Sequence, residues 1–190
     1  DFYVFSGHKL YGPSGVGVLY MKDEWFDNFN PYQGGGDMID VVDINQTTYA
    51  KGFHKFEAGT PPIAQVIGLG SSIDFVNSLN LEKIFKYEKN LHDYMLNKLI
   101  SFNDVSIYGN SKNKGAIITF NIKNVHANDL AMILDQKEIA IRTGHHCAQP
   151  LMKYLNITAS ARASFGVYND ESDVDIFIES LLEAKIFLTQ

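Results

Sequence analysis

The fold class is clearest in residues 116–142, which read AIITFNIKNVHANDLAMILDQKEIAIR. Residues 116–122 form a short apolar run with weak alternation, which predicts a strand buried on both faces. A helix is predicted from about 127 to 136, and a second strand at 139–142. Strands that alternate with helices after a long helix are typical of a compact α/β domain, and we predict this fold class.

The regions on either side of this stretch extend the same pattern. Further strands are predicted at 2–5, 16–20, 105–108 and 159–165, further helices at 63–79, 80–103 and 170–188, and turns at 12–15 and 109–114. The helix at 63–79 follows Thr60-Pro61-Pro62, so Thr60 is its predicted N-cap. Acidic residues fall in the first turn of the last helix, where the helix dipole favours them.

Composition excludes several classes of function. The chain has 190 residues, 45% of them hydrophobic, which is ample for a packed core, and its net charge of -6 argues against nucleic acid as the main partner. No apolar run approaches the roughly 18 residues of a membrane span. The single cysteine excludes an internal disulfide framework. The chain opens without methionine in an apolar run, which favours its being the middle of a longer polypeptide.

The cysteine lies in an unusual setting, RTGHHCAQP at residues 142–150. Only Arg142 and Arg162 among the 16 basic residues are arginine, and a guanidinium grips a carboxylate through two parallel bonds. The pair therefore predicts a carboxylate clamp, or else structural ion pairs with some of the 22 acids. Cys147 is either a nucleophile beside this anion site or a buried small hydrophobe. A zinc site on His145, His146 and Cys147 is disfavoured, since adjacent residues rarely point at one metal.

Lys9 lies on a loop between two predicted strands, after Ser6-Gly7-His8. It is either a solvated loop lysine or an amine that the flanking apolar strands desolvate, and a neutral amine can form a Schiff base. Thr60, at the start of a helix, is either an ordinary cap or part of an anion site.

Several of these stretches resemble one family in the same order along the chain. Ser6-Gly7-His8-Lys9 with Tyr11-Gly12-Pro13 resembles the cofactor-lysine segment of class V, fold-type I pyridoxal-phosphate (PLP) enzymes. Residues 142–150 resemble the catalytic loop of group II cysteine desulfurases of the SufS type, and further matching segments are 34–39, 56–61, 162–165 and 168–169. The resemblance implies the C-terminal part of such an enzyme. Residues 1–79 would be the last portion of the large PLP-binding domain, and residues 80–190 the small α/β domain.

The resemblance also implies roles for single residues. Lys9 would hold PLP covalently, Ser6 and His8 would contact its phosphate, Thr60 would reach the phosphate of the partner subunit's cofactor in a homodimer, and Arg162 with Arg142 would take the carboxylate of L-cysteine. Cys147 would attack the substrate sulfur, leaving L-alanine and a persulfide for a sulfur-acceptor protein of the Suf iron–sulfur assembly system. The attack needs a thiolate, which cationic neighbours such as Arg142, His145 and His146 would favour.

Two departures from the family pattern qualify this expectation. The residues that contact the pyridine ring in the family are absent from the 190 residues, so we expect the chain alone to be inactive. Lys55 stands where the family pattern has arginine. The alternatives are a selenocysteine lyase, another class V aminotransferase-like enzyme or a cofactor-free scaffold. The expected compartment is the cytoplasm, or a plastid-type organelle if a targeting peptide precedes the chain.

Overall fold

The computed structural model describes residues 1–109, 111 and 114–189, which form two compact units, Asp1–Asn80 and Leu81–Gln190. Residues 110, 112 and 113 of the turn predicted at 109–114 lie outside the described residues. Within the described residues, no helix is both long and apolar enough to cross a membrane.

The first unit contains two antiparallel hairpins and a helix. Its elements are β1 (Phe2–Ser6), β2 (Gly17–Met21), β3 (Ile39–Val42), β4 (Thr47–Tyr49) and α1 (Ile63–Leu79). The first hairpin pairs Phe2 with Met21 and Ser6 with Gly17, so the two strands predicted there are confirmed. A short 3-10 helix, Gly7–Lys9, follows β1 directly.

The second hairpin, β3 with β4, was not predicted from the sequence. Both strands are short, and the register shifts between Ile39 and Val41, which breaks the alternation on which strand prediction depends. The turn between them is closed by Asp43, whose Oδ1 accepts a hydrogen bond from the backbone N–H of Asn45 at 3.1 Å.

The start of α1 corrects the prediction for Thr60. The N-cap is Pro62, and no side chain among the described residues makes a capping hydrogen bond there. Thr60 and Pro61 each precede a proline, and a residue in that position is pushed toward extended backbone. The helix begins beyond these two residues, at Ile63, and the prediction that Thr60 is its N-cap is wrong.

The second unit is a four-stranded antiparallel sheet with helices packed on one face. Its elements are α2 (Leu81–Leu99), β5 (Val105–Tyr108), β6 (Ile117–Ile122), α3 (Ala127–Asp135), β7 (Arg142–Gly144), α4 (Gln149–Tyr154), β8 (Ser160–Ser164) and α5 (Glu171–Leu188), and the strand order is β5-β6-β8-β7. The core consists of β6 and β8 side chains packed against apolar residues of α2, α3 and α5.

Strand β6 shows that only one face of the sheet enters this core. Ile118, Phe120 and Ile122 are buried, whereas Ile117 is 46% exposed. The prediction of a strand buried on both faces is therefore wrong, because in this unit the helical core lies against one face only. The face away from the helices carries the polar residues of β6 and β8, including Arg162, which pairs with Thr119.

Strand β7 begins where the sequence predicted a strand to end. Residues 139–141 follow a turn in which Glu138 has a φ of 60° and Ile139 N–H donates to the carbonyl of Leu134. Ladder pairing starts only at Arg142, opposite Arg162, and ends at Gly144, opposite Ser160. The predicted strand at 139–142 is thus displaced toward the cysteine loop, residues 145–148, which joins β7 to α4.

The first turn of α5 gives a prediction about stability. The Asp170 carboxylate accepts hydrogen bonds from the backbone N–H groups of Ser172 and Asp173, and the Asp173 side chain accepts from Asp170 N–H. The hydrogen bond from the Ser172 hydroxyl lowers the pKa of Asp170 below its usual value, and the two backbone donors lower it further. We expect Asp170→Ala in the full-length protein to lower the melting temperature at pH 7 by about 2–4 °C, because a helix cap is lost. Asp170→Asn keeps an acceptor and should have a smaller effect.

The capping contact of Asp170 also makes the stability of the protein depend on pH. Since the folded state lowers the pKa of Asp170, the stabilisation is complete above the ordinary aspartate value of about 3.9 and is lost as the pH falls through the folded value. Thermal unfolding followed by circular dichroism should therefore show the gap between wild type and Asp170→Ala narrowing from pH 7 to pH 3. A gap of the same size at both pH values would contradict the assignment.

Candidate active site

The loop between β7 and α4 presents the cysteine. Gly144, His146 and Cys147 have positive φ angles of 105°, 54° and 61°, and Ala148 N–H donates to the carbonyl of His145 at 2.9 Å. Left-handed backbone is unfavourable for residues with a Cβ, so two such residues in succession require outside support. The turn leaves Cys147 exposed, and its interpretation as a buried hydrophobe is wrong.

Arg142 is the cation in contact with the thiol. Its Nη2 donates a hydrogen bond to Cys147 Sγ at 3.0 Å. A guanidinium is a charged donor, and hydrogen bonds between a charged donor and an anionic acceptor are the strong ones. The thiolate is the reactive form of cysteine, so the arrangement can support nucleophilic attack by Cys147.

The sheet register brings the two arginines together. Arg142 on β7 lies directly opposite Arg162 on β8, so their side chains project from the same face. Like charges opposite each other destabilise a sheet unless an anion compensates them. Among the described residues neither guanidinium has a carboxylate within 4.0 Å, and Arg162 Nε is buried without a partner. This geometry favours an anion site over structural ion pairs.

His146 connects the cysteine loop to β8. Its Nε2 lies 3.0 Å from both the carbonyl oxygen and the Oγ of Ser160, and its buried Nδ1 has no partner among the described residues. Burial lowers the pKa of His146, and the charges of Arg162, Arg142 and His145 lower it further, against the opposing hydrogen bond to Ser160. His146 is therefore uncharged at neutral pH, and the prediction that it acts as a cationic neighbour of the thiol is wrong.

Ser160 is a site residue that the sequence did not reveal. It is fully buried on β8, where it pairs with Gly144 at the entrance to the cysteine loop. A serine in a run of small residues has no distinctive local signal. Only the pairing of β7 with β8 brings it within reach of His146.

The predicted lysine segment forms one tight turn in the first unit. The Gly7 carbonyl accepts from Leu10 N–H at 2.9 Å and from Gly12 N–H at 3.1 Å. A Cβ on Gly7 would lie 2.8 Å from Val16 Cγ1, so the turn requires glycine. Ser6 is half-buried at the end of β1, and Lys9 is exposed, so the prediction that the flanking strands desolvate its amine is wrong.

This turn fits the phosphate and aldehyde groups of PLP. The Ser6 hydroxyl, the His8 ring and the Lys9 amine follow one another on a single 3-10 helix with its flanking residue. Hydroxyl and imidazole groups are suitable donors to a phosphate, and a primary amine is the group that condenses with an aldehyde.

Thr60 lies apart from the lysine turn in sequence, and the residues just before it contact the loop that contains Gly34, Gly35 and Gly36. Gly59 N–H donates to the carbonyl of Gly36 at 2.8 Å, and a Cβ on Gly35 would lie 2.9 Å from the Cβ of Ala58. Thr60 is exposed, so its hydroxyl is accessible to a ligand. The Lys55 ammonium lies 5.2 Å from the centroid of the Phe56 ring.

The predicted site residues thus fall into two groups, one in each unit. The first unit holds Ser6, His8 and Lys9 on one turn, with Thr60 on a separate segment. The second unit brings Arg142, Cys147 and Arg162 together. In the part of the chain that the structure describes, no three histidine, cysteine, aspartate or glutamate side chains are grouped as metal ligands.

Comparison with known proteins gives the family. Residues 1–177 match the class V aminotransferase family. The chain belongs to this family. The family consists of PLP enzymes, which supports PLP as the class of cofactor.

The most informative class V relatives are cysteine desulfurases. The chain is 46% identical over all of its 190 residues to a probable cysteine desulfurase of Staphylococcus epidermidis, and 48% identical over 182 residues to the cysteine desulfurase of Salmonella agona. The crystal structure of the cysteine desulfurase CsdA from Escherichia coli superposes with a TM-score of 0.94 over 98% of the chain, at 35% identity. The predicted fold, the α/β C-terminal part of a fold-type I enzyme, is confirmed. The chain spans about half the length of these class V relatives: 46%, 45% and 46%, respectively.

Proposed function

We propose that this class V chain is part of a PLP-dependent cysteine desulfurase of the group II, SufS type. The enzyme would take sulfur from L-cysteine, giving L-alanine and a persulfide on Cys147. The observation that carries the proposal is the exposed thiol of Cys147, held 3.0 Å from the Arg142 guanidinium on a strained loop. The names of its relatives, at 46–48% identity, support it.

The two units would supply different parts of this enzyme. Residues 1–79 would be the last portion of the large PLP-binding domain, and residues 80–190 the small C-terminal domain. Lys9 would hold the cofactor covalently, with Ser6 and His8 at its phosphate, and Thr60 would reach the phosphate of the partner subunit's cofactor in a homodimer. Bound PLP supplies an electron sink for the substrate carbon that loses its sulfur.

The arginine pair would orient the substrate. Arg162 would be the main contact for the carboxylate of L-cysteine, since its buried Nε has no partner among the described residues. Arg142 would remain next to the attacking sulfur through its hydrogen bond to Cys147 Sγ. Holding both reactants in this way converts sulfur transfer into a step between pre-positioned groups.

Sulfur transfer then needs no outside oxidant or reductant. The Cys147 thiolate attacks the substrate sulfur, so a sulfur–sulfur bond forms as the carbon–sulfur bond breaks. The electron pair of the broken bond stays with the substrate carbon, which would take up a proton from the Lys9 ammonium, leaving the neutral amine, and become the methyl group of L-alanine. Cys147 is left as a persulfide.

The exposure of Cys147 also suits delivery of this sulfur to another protein. We propose a sulfur-acceptor protein of the Suf iron–sulfur assembly system as the recipient. Because the relatives named above are bacterial, the cytoplasm is the favoured compartment, ahead of a plastid-type organelle.

A single-turnover experiment tests the proposed function. Full-length protein loaded with PLP is mixed with one equivalent of L-cysteine without reductant. We expect equal amounts of alanine and of a persulfide on the peptide that contains Cys147, measured by amino-acid analysis and mass spectrometry. Pyruvate in place of alanine, or alanine without the persulfide, would contradict the proposal. Turnover of selenocysteine with L-cysteine untouched would favour the selenocysteine lyase alternative.

A further inference from the structure

The contact between His146 and Ser160 fastens the cysteine loop to strand β8. His146 immediately precedes Cys147, and both have left-handed backbone, with φ angles of 54° and 61°. The His146 ring lies 3.0 Å from two oxygen atoms of Ser160. This contact can offset the unfavourable backbone of the two residues.

Ser160 lies between the two ends of the loop. It pairs with Gly144, where β7 leads into the loop, and its hydroxyl donates to Met152 Sδ at 3.9 Å on α4, where the loop ends. Both Ser160 and Met152 are buried, with exposures of 0% and 4%. A side chain anchored on Ser160 is therefore held against the buried part of the site.

The chemistry of the contact determines which form of His146 makes it. The Ser160 carbonyl oxygen can only accept, so Nε2 must carry the hydrogen and donate. In the neutral ring Nδ1 is then a bare acceptor, which is the less unfavourable state for a buried atom without a partner. The groups around the ring, Arg142, Arg162 and His145, disfavour a further positive charge there.

We propose that His146 is a positioning residue, which acts as an uncharged tether between Ser160 and the cysteine loop and so keeps Cys147 Sγ within hydrogen-bond reach of Arg142. The importance of this tether for sulfur transfer rests on the proposed function. His146 would act by keeping Cys147 next to Arg142, without itself contacting the substrate.

Two neutral amide variants of the full-length protein separate the tether from other roles. In His146→Gln the amide nitrogen is as many bonds from Cα as imidazole Nε2, whereas in His146→Asn it is one bond closer to Cα and cannot reach Ser160. Asparagine tolerates left-handed backbone, so His146→Asn does not penalise the fold of the loop. The measurement is the rate of Cys147 alkylation by iodoacetamide from pH 6 to 10, followed by mass spectrometry, since only the thiolate reacts.

We expect His146→Asn to slow alkylation at pH 7 by about tenfold, with an unchanged limiting rate at high pH, because the thiolate loses its charged donor. His146→Gln should stay within about twofold of wild type. Equal slowing of alkylation in both variants would mean that the imidazole ring or its charge is needed, rather than a donor that reaches Ser160. A wild-type alkylation rate in His146→Asn would mean that the contact with Ser160 has no effect on Cys147. Either result would overturn the proposal. Melting temperatures check that neither variant is unfolded.

A double-mutant cycle tests whether His146 works through Arg142. In an Arg142→Gln background, the change His146→Asn should have no further effect on alkylation at pH 7, because the contact that the tether maintains is already absent. Additive effects would overturn the proposal. Alkylation needs neither PLP nor L-cysteine. Failure of the tether and failure of the desulfurase proposal would therefore be seen in different experiments.

Discussion

Full-length protein carrying Cys147→Ala should bind PLP with unchanged visible absorption, yet form no alanine from L-cysteine. The proposed reaction needs a sulfur acceptor, and the substitution removes the only group in the loop that can form a sulfur–sulfur bond. Loss of a covalent nucleophile lowers turnover by several orders of magnitude, and we expect a fall of at least about 10³-fold. The cofactor should be unaffected, because the residues proposed to hold it lie in the first unit.

Alanine must be measured as well as sulfide, because β-elimination of cysteine also releases sulfide but leaves pyruvate and ammonia. Cys147→Ser is the matched variant, since it changes one atom and keeps a side chain of similar size. Backbone strain is no greater in either variant, because cysteine, serine and alanine all carry a Cβ at the φ of 61°. Alanine formation at the wild-type rate by Cys147→Ala would exclude Cys147 as the sulfur acceptor.

The regular elements could be predicted from the sequence where the hydrophobic pattern is strong. The helix α2, with apolar residues at helical spacing, and the strands β1 and β2 lie within a few residues of their predicted bounds. The short hairpin of β3 and β4 was missed because a register shift disrupts its alternation. The bounds of α1, 63–79, were predicted correctly, but its N-cap was wrongly assigned to Thr60, because the two prolines before Ile63 outweigh the capping tendency of Thr60.

The site shows a similar division between local and non-local information. Residue types alone singled out Cys147, Arg142 and Arg162, since each is rare in this chain. They did not reveal that the arginines stand directly opposite each other, because that depends on the register of β7 with β8. Nor did they reveal that His146 is neutral, since its burial and its bond to Ser160 exist only in the folded chain.

Replacing Lys9 by alanine should remove the visible absorption band of the lysine-bound cofactor and abolish turnover. Lys9 is the one lysine on the Gly7–Lys9 turn, whose neighbours Ser6 and His8 are suited to a phosphate. Without its amine there is no covalent link and no group to return the proton to the substrate carbon, so turnover should fall by at least about 10³-fold. The link is measured by borohydride reduction, which in wild type should leave PLP fixed on the peptide containing Lys9.

Two further variants identify the property of Lys9 that matters. Lys9→Arg keeps the positive charge but cannot form the link, so it should behave like Lys9→Ala. Lys22→Ala removes a lysine of the same unit, whose ammonium pairs with Asp1 at 2.9 Å, and should keep the band. An unchanged spectrum in Lys9→Ala would refute the assignment. Loss of the band in Lys9→Ala and its retention in Cys147→Ala, with both inactive, would assign cofactor attachment to the first unit and sulfur acceptance to the second.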